Sequence, residues 1–288
     1  MSRIQHYANL DAAVRFRIDD PKLEPLASDL HTAALERTED ATPETPADLA
    51  WTAAGNGLVQ ISLAGTPWES PLAETEAFFQ SENLITRLFC SKLEARLQLH
   101  AAAVATPAGN AWLICGPSRA GKTSLTIAYM LEGWNWLSDE LILVEADAPR
   151  LLKGFRRNFN LKEPSWKNFP ETADLPHRQE SWSGHHQANI RFIDPASLRP
   201  DAFRAEASLA GILLPRYSPT ATPPSLHRVE GLAATQAILP EVSDPSAFLL
   251  ATIANWIRDL PVFQVIYQDP RTVPAAVREQ HSLDASFT

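Results

Sequence analysis

Residues 116 to 123 read Gly116-Pro-Ser-Arg-Ala-Gly-Lys-Thr123 and match the pattern G-x-x-x-x-G-K-[ST], which is typical of a phosphate-binding loop, or P-loop. The two glycines let backbone N–H groups turn inward around phosphate oxygens, where a side chain would clash. In this pattern Lys122 reaches the β- and γ-phosphates, and the Thr123 hydroxyl binds Mg²⁺. The predicted nucleotide-binding residues are Gly116, Pro117, Ser118, Arg119, Ala120, Gly121, Lys122, Thr123 and Ser124.

The segments on either side of this loop favour the P-loop over a glycine-rich turn at an ordinary helix start. Residues 111–115 are apolar and predict a strand, and residues 123–131 have a helical pattern. A second apolar run, 97–105, precedes them and is separated by the turn residues 106–110. The two runs therefore predict a β-hairpin before the loop, although most P-loop folds use parallel βαβ units.

Composition and charge restrict the classes of function. The chain has 288 residues, 45% of them hydrophobic and 20% charged, as in soluble globular proteins. No apolar run approaches the ~18 residues of a transmembrane helix, and the start of the chain lacks the apolar core of a secretory signal. The net charge of −9 argues against nucleic acid as a partner. Two cysteines, Cys90 and Cys115, are too few for a disulfide framework and suggest reduced thiols in the cytoplasm.

The patterns along the chain divide it into two predicted α/β domains. Residues 1–92 contain alternating strand patterns at 13–18 and 58–63, leucines at helical spacing from Leu23 to Leu35, and a long amphipathic helix or broken pair of helices after Pro71. They form a small N-terminal α/β domain for binding or packing. Residues 93–288 form the predicted catalytic domain. Within it, 165–186 are predicted to be a long irregular loop.

Candidate catalytic groups flank the P-loop. A nucleotide site needs a carboxylate for the metal, and a kinase also needs a base for the acceptor hydroxyl. Asp139 and Glu140 lie between two short strand patterns, where a plain polar turn is the alternative interpretation. Glu145 and Asp147, at the end of the following strand pattern, are less well placed. His100 lies in an apolar strand, where a histidine is more often a hydrogen-bonded core residue.

One basic segment stands out in an otherwise acidic chain. Between Arg150 and Lys167 there are six Lys or Arg residues and a single acid, Glu163. A solvated basic loop is one interpretation, and part of an anion site beside the P-loop is the other. The candidates for stabilising transferred charge, which the sequence does not rank, are Arg156, Arg157, Lys162 and the more distant Arg216.

Four motifs resemble the catalytic domain of HPr kinase/phosphorylase, and more closely the HprK-related kinases, which carry Ser-Asp-Glu instead of Asp-Asp. The resemblance extends over about residues 95–270 and is strongest over 99–144. In addition to the P-loop itself, the four motifs are His100-Ala-Ala-Ala-Val, Gly133-Trp-Asn-Trp-Leu-Ser-Asp-Glu140, Leu161-Lys162 and Pro215-Arg-Tyr217. The resemblance implies an α/β P-loop core with antiparallel strands, related to phosphoenolpyruvate carboxykinase.

The resemblance also implies residue roles and an activity. It makes Asp139 the catalytic base, Glu140 and Thr123 the metal ligands, His100 a support for the two carboxylates, and Lys122 a phosphate ligand. The implied activity is transfer of phosphate from ATP, with Mg²⁺, to a serine-type hydroxyl. The chain lacks the family's E-I-R-G-L-G signature, so we do not expect phosphorylase activity. Because the N-terminal part shows no likeness to the family, we do not expect HPr itself as the substrate.

The sequence thus predicts a cytoplasmic Mg-ATP-dependent kinase that phosphorylates a hydroxyl on a protein, a peptide or a small amino-acid-like molecule. Two rivals share the P-loop. A nucleotide-binding sensor would need no catalytic base, and a plain ATPase would use water as the acceptor. The pair Asp139-Glu140 favours the kinase. Self-association into a homo-oligomer and the choice between adenine and guanine are left open by the sequence.

Overall fold

The computed structural model describes residues 2–93, 97–175, 177–182, 188–242 and 246–285. Its strands are β1 (Ser2–Asn9), β2 (Ala12–Ile18), β3 (Leu35–Ala41), β4 (Leu49–Ala53), β5 (Leu58–Leu63), β6 (Thr66–Pro67), β7 (Leu72–Ala73), β8 (Leu97–Leu99), β9 (Ala101–Ala105), β10 (Asn110–Cys115), β11 (Asn135–Ser138), β12 (Ile142–Val144), β13 (Leu151–Gly154), β14 (Phe159–Lys162), β15 (His177–Trp182), β16 (Ala188–Ile193), β17 (Glu206–Tyr217), β18 (Ser225–Arg228) and β19 (Val262–Tyr267). Its α-helices are α1 (Glu24–Ala27), α2 (Glu74–Lys92), α3 (Lys122–Leu131), α4 (Pro195–Leu198), α5 (Gly231–Ile238), α6 (Ala247–Asp259) and α7 (Val273–Ala285).

The chain divides into two compact units, both built from sheets and helices, so the fold is mixed α/β. The first unit comprises Met1–Glu94, Arg156–Trp166 and Glu171–Ser197, and the second comprises Ala95–Phe155, Lys167–Pro170 and Leu198–Thr288. The first break lies close to the predicted boundary between residues 92 and 93. No sequence feature indicated that Arg156–Trp166 and Glu171–Ser197 belong to the first unit.

The first unit is organised around a sheet with the strand order β3-β1-β2-β4-β5-β6, in which β7 also pairs with β5. Strand β2 alternates between buried and more exposed residues, which confirms the strand predicted at 13–18. The long helix α2 packs on this sheet, and the indole of Trp51 donates a hydrogen bond of 2.8 Å to Ser81 Oγ on that helix. A smaller sheet, β14-β16-β15, contributes Phe192, whose ring centroid lies 4.9 Å from that of Phe78.

The second unit is organised around a sheet in the order β11-β9-β10-β17-β13-β12-β8, with β19 on β17 and β18 on β19. Strands β9 and β10 pair antiparallel, from Ala105 with Ala111 to Ala101 with Cys115, which confirms the predicted hairpin. Successive side chains of a strand face opposite sides of the sheet. Accordingly Leu113 joins a buried cluster with α5 and α6, whereas Trp112 and Ile114 join another with α3 and α7. Helices therefore cover both faces of this sheet.

Three parallel strands determine where the glycine-rich loop lies. Strand β17 runs parallel to β10 and to β19, so the carboxyl ends of these strands meet at one edge of the sheet. The loop at 116–121 leaves β10 at this edge, the end of β17 carries Arg216 and Tyr217, and β19 ends at Tyr267. In open α/β sheets ligands bind outside the carboxyl ends of the strands. This edge is therefore where a ligand site is expected.

No helix in the described part of the chain is both long enough and apolar enough to cross a membrane.

Candidate functional site

The glycine-rich loop connects β10 to α3 and is held closely by its surroundings. Arg119 has a φ of 71° and Gly121 has a φ of 104°, so both residues adopt left-handed backbone conformations. Ala120 donates its N–H to Pro117 O at 3.0 Å, and the Tyr267 hydroxyl donates to Ala120 O at 3.2 Å. A Cβ at Gly121 would lie 1.9 Å from the Tyr267 hydroxyl oxygen. Glycine at 121 is therefore required both by the backbone conformation and by the space available.

The Lys122 ammonium lies beneath this loop. The residue is 7% exposed and its Nζ donates to Gly116 O at 2.6 Å, so the side chain folds back along the loop. Lys122 is also the first residue of α3, whose N-terminal N–H groups lack partners within the helix. A helix N-terminus and a buried ammonium together favour an anion.

Thr123 and Asp139 meet in the structure. Thr123 Oγ1 donates to Asp139 Oδ2 at 2.8 Å, and Asp139 is 2% exposed. Asp139 follows the end of β11, where Ser138 Oγ accepts from Glu140 N at 3.3 Å and from Leu141 N at 3.2 Å. This turn holds the two carboxylate residues at the end of the strand. The Glu140 side chain is 40% exposed.

His100 lies between β8 and β9 and contacts two carboxylates. Its Nε2 lies 3.4 Å from Glu140 Oε1, and its Nδ1 lies 2.9 Å from Glu241 Oε2. The hydrogen bond to Glu140 is the largest of the causes that raise the pKa of His100 above its usual value, and the negative charge of Glu241 adds to it. Burial and the Lys122 ammonium act in the opposite direction. The net shift favours the charged imidazolium, which can donate to both carboxylates.

Glu241 lies beside these residues and was not selected from the sequence. It ends the 3-10 turn Leu239–Glu241 after α5 and is 7% exposed. Its Oε2 lies 4.0 Å from Lys122 Nζ, in addition to its contact with His100. It follows Pro240 in the sequence and belongs to no recognisable motif, so only the three-dimensional structure brings it to the loop.

The basic candidates fall in different units. Arg156, Arg157 and Lys162 belong to the first unit, whereas the loop belongs to the second. The amide of Arg156 donates to Asn9 Oδ1 at 2.7 Å. Arg157 is 3% exposed and its guanidinium lies 3.6 Å from the Glu82 carboxylate, which favours a structural role for it.

Arg216 is the one basic candidate of that set in the unit that contains the loop. It lies at the carboxyl end of β17, on the sheet edge that carries the loop, and it is exposed. The preceding residue, Pro215, lies 3.7 Å from the position that a Cβ would occupy at Gly116. Arg216 therefore remains a candidate phosphate ligand on grounds of position.

The oxygen donors beside the loop fit a magnesium ion. Mg²⁺ prefers oxygen ligands and is usually held by one or two carboxylates, water and substrate phosphates rather than by an all-protein cage. The Thr123 hydroxyl and the Glu140 carboxylate supply such donors, and Asp139 lies beside them through its hydrogen bond from Thr123. In the ranges that the structure describes, no three or more His, Cys, Asp or Glu side chains are grouped to hold a metal by themselves.

Comparisons with known proteins give structural likenesses but no match to a protein family or to a curated sequence. No protein-family model and no curated protein sequence matches the chain. A solved structure that it resembles is the HPr(Ser) kinase/phosphatase from Coxiella burnetii, with 13% sequence identity. The match covers 66% of this chain and 98% of the Coxiella chain, with a TM-score of 0.34. A likeness at this level decides neither the activity nor the site residues.

Proposed function

We propose that this chain is a Mg-ATP-dependent kinase of the HPr kinase-like P-loop type. Its acceptor is a serine-type hydroxyl on a protein, a peptide or a small amino-acid-like molecule. The observation that carries the proposal is the 2.8 Å hydrogen bond from Thr123 to Asp139. It joins the hydroxyl that ends the P-loop pattern to the carboxylate suited to act as the base.

The loop and the start of α3 would bind the nucleotide phosphates. The N-terminus of α3 presents positive partial charge at the carboxyl edge of the sheet, and backbone N–H groups of the loop would add to it when phosphate binds. The Lys122 ammonium is buried beside the loop. If it gave up its hydrogen bond to Gly116 O, it could bind a phosphate oxygen instead. Phosphoryl transfer depends mainly on positioning and on stabilising charge, so few residues are needed.

Thr123 and Glu140 would hold the metal, and Asp139 would take the proton. When bound, Mg²⁺ neutralises the phosphate oxygens on which charge develops. The Asp139 carboxylate accepts the proton that the acceptor hydroxyl loses, a role suited to a positioned carboxylate. His100 orients Glu140 through its Nε2. Cys90 and Cys115 are the chain's two cysteines, and a cytoplasmic location stays a prediction from the sequence.

The test compares phosphate transfer by the wild type and by Asp139→Asn. Asparagine keeps the shape and an oxygen that can accept from Thr123, but it cannot take a proton. We expect transfer of γ-labelled phosphate to a panel of serine-containing acceptors to fall by about 10²- to 10⁴-fold. Asp147→Asn, an exposed aspartate after β12, is the matched control and should transfer at the wild-type rate.

Three outcomes separate the kinase from its rivals. If Asp139→Asn transfers label as fast as the wild type, Asp139 is not the base. Release of labelled phosphate to water, with none reaching any acceptor, would identify an ATPase. A sensor that uses ATP occupancy as a switch would bind nucleotide without turnover, and its response would survive Asp139→Asn but not Lys122→Ala.

A further inference from the structure

Glu241 is a buried carboxylate that the proposed chemistry does not use. It lies at the end of a 3-10 turn and is 7% exposed, which is uncommon for a glutamate unless a cation pairs with it. Two cationic groups face the same oxygen. Glu241 Oε2 lies 2.9 Å from His100 Nδ1 and 4.0 Å from Lys122 Nζ.

The backbone fixes this carboxylate relative to the hairpin strands. His100 N donates to Glu241 O at 2.7 Å, and Val242 forms an antiparallel bridge with Leu99. His100 and Glu241 are thus joined both through the main chain and through their side chains. Such a double connection limits the orientations that the imidazole can adopt, since turning the ring would break the contact with Glu241.

The position of His100 matters because its other nitrogen faces Glu140. With Nδ1 directed at Glu241, Nε2 is directed at Glu140 Oε1, 3.4 Å away. Groups that hydrogen-bond to a metal-ligating side chain orient it, and their loss typically reduces metal affinity or activity about 10- to 100-fold. Glu241 therefore stands two contacts behind the metal, because it contacts His100 and His100 contacts Glu140, the side chain that would hold the metal.

From these contacts we infer that Glu241 is a positioning residue of this site. It holds His100 in the orientation that presents Nε2 to Glu140, and it supplies negative charge close to the buried Lys122 ammonium. This inference rests on the proposed kinase function for its catalytic consequence. The orientation of His100 is a property of the protein alone, which allows the two to be tested separately.

The first experiment needs no nucleotide. In full-length protein labelled with ¹⁵N-histidine, the His100 imidazole resonances are compared at one fixed pH between the wild type and Glu241→Gln. We expect the His100 nitrogen shifts to change in Glu241→Gln. Glu230→Gln is the matched control, because Glu230 lies in the same unit, its side chain is 75% exposed and it pairs with Arg228. Its His100 shifts should equal those of the wild type. Unchanged His100 resonances in Glu241→Gln would overturn the inference.

The second experiment measures turnover and its dependence on magnesium. We expect Glu241→Gln to require about 10- to 100-fold more Mg²⁺ for half-maximal transfer, or to lose kcat by that factor, with the acceptor KM unchanged. Glu241→Asp keeps the charge and should recover part of the loss. If Glu241→Gln fails to fold, Glu241→Asp serves in both experiments and should show a smaller change of the same kind.

The results distinguish the two proposals. If Glu241→Gln keeps the wild-type kcat and magnesium dependence, Glu241 has no positioning role, whatever its effect on stability. If the wild-type protein transfers no phosphate, the proposed function fails. The imidazole resonances then decide whether Glu241 orients His100.

Discussion

Gly121→Ala should damage the loop by two separable effects. The first is conformational, because an L-residue with a Cβ in a left-handed conformation costs about 1–2 kcal/mol. The second is steric, because the new Cβ would lie 1.9 Å from the Tyr267 hydroxyl oxygen. Tyr267 is 2% exposed and cannot swing into solvent, so its neighbours must shift.

The magnitude follows from these contacts. Moving Tyr267 breaks its hydrogen bond to Ala120 O, which contributes about 0.5–1.5 kcal/mol, and repacking a crowded core costs about 1–3 kcal/mol. With the conformational term, the free energy of unfolding should fall by about 3–6 kcal/mol. Urea and thermal unfolding of the full chain, followed by tryptophan fluorescence, measure this loss.

Gly133→Ala is the matched control. Gly133 lies in the same unit with a φ of 89°, and a Cβ there meets no atom within 4 Å. It should lose only the conformational term, about 1–2 kcal/mol. Adding Tyr267→Phe to Gly121→Ala removes the clashing oxygen and leaves Tyr267 Cζ at 3.3 Å, so the combined variant should be more stable than Gly121→Ala alone. Equal losses for the two alanine variants, with no rescue by Tyr267→Phe, would refute the reasoning.

Three further predictions concern ligand binding, pH and packing. Mg-ATP at about 100 times its dissociation constant should stabilise the fold by about 2.7 kcal/mol. A melting temperature that does not change on addition of Mg-ATP or Mg-ADP would contradict any nucleotide site. Burial lowers the pKa of His31, Glu82 opposes this shift and the charge of Arg157 adds to it, so below about pH 6.5 the unfolded chain binds a proton that the folded chain does not. The free energy of unfolding should therefore fall as the pH drops from about 6.5 towards the lowered pKa, and His31→Asn should flatten that slope in urea titrations at several pH values. Gly211→Ala would place a Cβ 2.4 Å from the Trp112 ring and should lower the free energy of unfolding by about 1–3 kcal/mol in the same assay.

The parts of the fold that carry local signals were predicted correctly. Strand β2, the hairpin of β9 and β10, and helix α3 follow from alternating patterns, turn residues and the glycine-rich motif. The prediction for α3 began at Thr123, one residue late. The turn that carries Asp139 and Glu140 lies between β11 and β12, as the short apolar runs indicated.

Elements that depend on distant partners were predicted incorrectly. The leucines from Leu23 to Leu35 do not form one helix. Helix α1 covers only Glu24–Ala27, and Leu35 begins strand β3, which pairs with β1. The irregular loop predicted at 165–186 contains strand β15, whose residues lack apolar alternation and which pairs along β16. In both cases pairing with another strand determines the structure, and pairing is not visible in a local pattern.

In the candidate site too, residues with a local sequence signal were predicted, whereas a residue brought in by distant strand pairing was not. Lys122, Thr123 and Asp139 were found from a motif and its spacing, and the structure brings them together. Glu241 was not found, because it reaches His100 only through the pairing of Val242 with Leu99. Arg157 was selected by its charge alone, and its burial beside Glu82 could not be deduced from a basic segment.

The division of the chain into two discontinuous units affects the design of truncated variants. Because the first unit recruits Arg156–Trp166 and Glu171–Ser197, a fragment ending at residue 94 would lack Arg157. Glu82, 2% exposed, would then keep His31 but lose its guanidinium partner, and breaking a buried ion pair costs about 3–5 kcal/mol. We expect such a fragment to be unfolded or aggregated when expressed alone. Truncations and domain swaps that retain the first unit should therefore retain its two later segments as well.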